Sequence, residues 1–80
     1  MDETEMAERL RALRNAFLMH IHAVDITLRG HADVVAAVIG SNLDQMSEST
    51  RASHYGMELQ DLRTECLKVA AARARLGLDE

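Results

Sequence analysis

The chain has eighty residues, about half of them apolar, with only Phe17 and Tyr55 aromatic and no proline. Its formal net charge of −4 excludes broad binding to a nucleic-acid backbone, which requires a basic face. The single cysteine, Cys66, excludes an internal disulfide, and the apolar run 16–28 is about thirteen residues long, short of the ~18 that would suggest a bilayer crossing.

The acidic opening MDETEMAE lacks the basic and apolar regions of a signal peptide, so a cytoplasmic protein is expected. Asp2 with Glu5 makes a capping box, with further acid in the first turn, where the helix dipole favours it. Met6, Leu10, Leu13, Phe17, Ile21, Val24 and Leu28 then recur at spacings of three and four. They form one side of a first helix of about 26 residues. Glu5 and Arg9 are an i,i+4 pair in the favourable order, and Gly30 is a natural stop in the left-handed conformation.

A second apolar segment, ADVVAAVI, is short and is expected to end at Gly40-Ser41-Asn42. Asn42 with Gln45, or Ser47 or Ser49, then caps a third helix. Ala52, Tyr55, Leu59, Leu62, Cys66, Val69 and Leu76 form a near-heptad series along it, with Arg73 the exception, and it stops near Gly77. The boundaries around 40–50 are open, including whether the second and third helices are continuous.

His20 and His22 lie in the most apolar part of the chain. Residues two apart on a helix point about 200° apart, so they cannot grip one metal from the same helix, where zinc sites use i,i+3 or i,i+4 spacing. His20 falls beside Leu13, Phe17 and Val24, on the inward stripe. His22 stands three before Asp25, a spacing that permits a hydrogen bond. The alternative is a site assembled between helices from His20, His22, His31, His54 or Cys66. No spacing marks one, and neither metal nor cofactor is expected.

Two other motifs bear on function. Ala36-x-x-x-Gly40, followed by Leu43 and Met46, resembles the small-residue spacing of a DNA-reading helix-turn-helix over 32–50. Its would-be recognition helix, 42–49, carries two acids and no base, a poor match to phosphates and guanine edges. The structural reading is that Ala36 and Gly40 let two helices approach closely. The Leu13-Arg14 pair on a long opening helix resembles the all-helical chorismate mutases over about a third of the chain. That resemblance implies a small helical enzyme. However, Phe17-Leu18 stands where that family has an Ile-Asp step, and its downstream basic and glutamine positions have no counterparts. Cys66 lies on a regular apolar stripe and reads as a small hydrophobe. There is no phosphate-binding glycine loop, so no enzyme is expected. Met19, Met46 and Met57 read as core, with an adaptable binding surface as the alternative.

The first helix is apolar on two sides, because Leu18, Met19 and Ile26 lie off the main stripe. One antiparallel neighbour covers only one side. The expectation is therefore an all-α single domain over 1–80: a helical hairpin or three-helix arrangement, two long helices and a short middle one, dimerising into a bundle. Its expected work is non-catalytic protein–protein interaction, as a regulator, inhibitor, adaptor or chaperone-like homodimer. The interface residues are expected to be Leu18, Met19, His22 and Ile26, with Arg11, Asn15 and Arg29 as a polar rim. The alternative function is a helix-turn-helix regulator.

Overall fold

A computed structural model describes residues 2–77. These form α1 (Glu3–Thr27), α2 (His31–Asp44), the single turn α3 (Glu48–Arg51) and α4 (His54–Arg75), with no strand among the described residues. The expected domain limits at 1 and 78–80 lie outside the described residues.

Side-chain caps start α1, α3 and α4. The Asp2 carboxylate accepts from the Glu5 N–H at 2.7 Å, while the Glu5 side chain turns to Arg9 at 2.8 Å. Ser47 accepts from Thr50 N–H to cap α3, and Ser53 accepts from Gly56 N–H to cap α4. Gly30 ends the turn after α1 at φ 96°, where a side chain would be strained, and Gly77 follows α4 at φ 72°.

Two expectations about the middle of the chain need correction. α2 runs through Gly40 to Asp44, and Asn42 lies inside it, donating from Nδ2 to the Val38 carbonyl at 2.9 Å. Gly40 does not stop the helix; it makes room. A Cβ there would lie 3.0 Å from Nε of Arg63 on α4. Ala52 and Ser53 precede the last long helix, so the chain breaks twice between α2 and α4.

Ion pairs fix the helix directions. Arg14 reaches Glu58 and Asp61, and eleven residues further along α1 Asp25 meets Arg73. α1 and α4 are therefore parallel. α2 returns between them, with Asp33 near Arg73 and Gly40 under Arg63. The three long helices form an up-down-up bundle in which α2 and α4 make the most extensive contact. Ala32 and Ala36 lie fully buried in line with Gly40, so small residues bring α2 close to α4. The core is Ile21, Ala32, Ala36, Cys66 and Ala70, with Val35, Ile39 and Val69 packed against it.

Helix lengths decide where this core stops. At 1.5 Å per residue, α1 spans about 37 Å, α4 about 33 Å and α2 only about 21 Å. α2 ends at Asp44, and every residue from 2 to 13 is exposed. One end of the bundle thus has three helices and the other has two. The inward stripe expected along all of α1 is corrected accordingly. Ile21 is buried and Val24 half-buried, while Met6, Leu10, Leu13, Phe17 and Leu28 are exposed. Tyr55 and Leu76, expected in the core series of the last helix, are exposed too.

The overall dimensions agree. The radius of gyration is 14.3 Å, against about 11.6 Å for a compact domain of this length. The accessible surface is 5789 Å², against about 4800 Å² for a folded monomer of this mass.

Candidate interaction surface

The buried polar node of the fold is Asp25, which is 1% exposed. Its Oδ1 accepts from the Ala32 N–H at 2.9 Å and from Arg73 at 2.7 Å, and Arg73 also reaches Asp33 at 2.8 Å. A carboxylate removed from water needs a charged or hydrogen-bonding partner. Here it finds one on each of two other helices. This corrects the expected His22–Asp25 pairing: Asp25 turns inward to α4, and His22 is exposed. The node also explains why Arg73 interrupts the apolar series of its helix. It holds α1, α2 and α4 together as a structural node.

His20 is exposed as well, which corrects its placement on the inward stripe. Among the described residues no three His, Cys, Asp or Glu side chains gather where they could hold a metal ion. Cys66 is fully buried; burial pushes its thiol pKa up and the neighbouring Glu65 carboxylate adds to this. A thiol so placed resists forming the reactive thiolate.

The residues expected at the interface lie mostly together. Asn15, Leu18, Met19, His22 and Ile26, with Ala23, line a shallow, open, mainly apolar hollow along α1. Met19 is 70% exposed and Ile26 51%, whereas Leu18 is half-buried. Among the described residues no other helix contributes to the hollow. Arg11 belongs to a neighbouring groove, and Arg29 lies in the turn beyond α1, so the polar rim is less continuous than a helix through Arg29 would make it.

That neighbouring groove is the part sequence reasoning missed. It lies at the two-helix end, where Leu10, Leu13 and Phe17 of α1 face His54, Glu58 and Leu62 of α4. The signal available in the sequence was the shortness of the second apolar segment, which cannot cover the whole of the first helix. Residues 42–49, the would-be recognition helix, form the end of α2, a turn and the start of α3. No described helix is long and apolar enough to cross a membrane. No protein-family model, characterised protein or solved structure matches this chain.

Proposed function

We propose that this chain is a non-catalytic protein–protein interaction module that works as a homodimer through the apolar surface of α1. The observation that supports this reading is the uncovered apolar surface of one long helix. Met19 and Ile26 project on one side, and Met6, Leu10 and Leu13 on another, all about half exposed or more. An isolated helix of a dozen residues is marginal in water, so the projecting start of α1 gains stability from whatever covers it. Contiguous apolar surface rimmed by charge is the usual mark of a protein contact. Two apolar sets on one helix allow one to serve self-association and the other a target, with Arg11 and Asn15 orienting the approach.

The test places a photo-cross-linking residue at Met19, Ile26 or, as a control exposed on α4, Lys68, in the native cell. The expected result is one discrete heteromeric adduct from positions 19 and 26 and none from 68. Absence of any adduct at 19 and 26 would count against the reading. So would sequence-specific duplex DNA binding at physiological salt that Arg63→Glu removes.

A further inference from the structure

We infer that the projecting half of α1 is the dimer seam, pairing antiparallel with α1 of a second copy about a twofold axis between Arg11 and Ala12. This rests on the homodimer reading and leaves the Met19–Ile26 side free for a target. Three observations support it. The first is area. The surface exceeds that of a compact monomer of this mass by about 1000 Å². A standard interface takes about 800 Å² from each partner, so the surplus matches one protomer's share.

The second is the order of residues along the stripe. Glu3, Met6, Leu10, Leu13, Phe17 and His20 are spaced 3, 4, 3, 4 and 3, the alternation of a coiled-coil seam. All six are exposed. The twofold sets Leu10 opposite the partner's Leu13 and Met6 opposite the partner's Phe17. At the ends of the seam Glu3 then meets the partner's His20, a carboxylate beside an imidazole. The overlap of eighteen residues is about 27 Å long.

The third is charge, which selects the direction. Asp2, Glu3, Glu5 and Glu8 crowd the start of α1 with no base among them. A parallel pairing would set these four acids against their own copies, which is repulsive. The antiparallel pairing lays 2–8 along 15–21 of the second copy, a stretch without an acid. The arginines that come level, Arg9 and the partner's Arg14, already have carboxylates of their own chain: Glu5 for the first, Glu58 and Asp61 for the second. The two-helix ends of both protomers would then close into a four-helix arrangement, which covers the groove between α1 and α4.

Two measurements test the seam. Leu13→Asp should weaken self-association by about a hundredfold or more while the three-helix core of the protomer still unfolds cooperatively, because Leu13 is 68% exposed within the protomer. Met19→Asp should leave the dimer mass unchanged. Independently, Glu3→Cys and His20→Cys proteins, both altered at exposed positions, are mixed and treated with a short bismaleimide. Cross-linked dimer is expected from the mixture and not from either protein alone, since equivalent positions would lie about 25 Å apart. Buried Cys66 provides the unreactive background. A dimer broken by Met19→Asp but not by Leu13→Asp would overturn the seam while leaving the homodimer intact. Cross-linking of Glu3→Cys alone would overturn the antiparallel direction. A wild-type protein that is monomeric throughout would overturn the homodimer reading itself.

Discussion

Arg73→Met is expected to cost about 3–5 kcal/mol of folding stability, the largest effect of any single substitution considered for this chain. The loss does not come from the pair's own attraction. Methionine fills most of the volume, but it takes the charged partner from a carboxylate that is 1% exposed and leaves it the Ala32 N–H. An uncompensated buried charge is what makes breaking such a pair expensive. The bond from Arg73 to Asp33 matters less, since Asp33 is about half exposed and water competes for it. The expected signature is a fall in urea midpoint with little change in slope. Asp25→Leu combined with Arg73→Met should recover most of the loss, because an apolar pair of similar volume needs no partner. A loss below about 1 kcal/mol for Arg73→Met, within the range of an exposed ion pair, would show that Asp25 is not buried as described.

Gly56→Ala is expected to destabilise by about 2–3 kcal/mol, against its intrinsic tendency. In the first turn of a helix, alanine should gain up to about 1 kcal/mol over glycine. Here the added Cβ would lie 2.4 Å from the Arg51 carbonyl oxygen, 2.5 Å from that of Thr50 and 2.6 Å from the Arg51 Cα. These are backbone atoms of α3 and cannot swing aside, so α3 must lift off α4. Gly40→Ala is the internal control. Its nearest atom, Nε of Arg63 at 3.0 Å, sits on a flexible side chain, so propensity and displacement should nearly cancel. Thermal melts of both variants decide the matter. Equal, small shifts would remove the tight α3–α4 junction from the account.

Much of the fold was legible because its causes are local. A 3.6-residue period, Asp2 as a cap and Gly30 as a left-handed stop each act within a few residues. Ser53 was missed because Ala52 continued the apolar series across a real break. The Asp25–Arg73 node was hidden by distance, since its partners lie 48 residues apart and charged residues default to the surface. Yet each was an anomaly, an acid within an apolar run and a base within an apolar stripe, and two such exceptions can meet. The stripe on α1 shows the opposite limit. Periodicity groups Met6, Leu10, Leu13 and Phe17 on one side of the helix, but only the length of α2 decides whether a neighbour reaches them. The hollow around Met19 was legible for a simple reason: apolar residues on a second side of a helix exceed what one packing partner can cover.

The central claim is that the uncovered half of α1 is covered by a second copy of the chain. Sedimentation equilibrium of the wild-type protein at micromolar concentration tests it most directly. The account predicts a mass of twice 8.9 kDa, falling toward 8.9 kDa only on dilution, with helicity declining as the start of α1 loses its cover. A mass of 8.9 kDa at every concentration, with residues 3–17 protected from amide hydrogen exchange as strongly as the core, would contradict it.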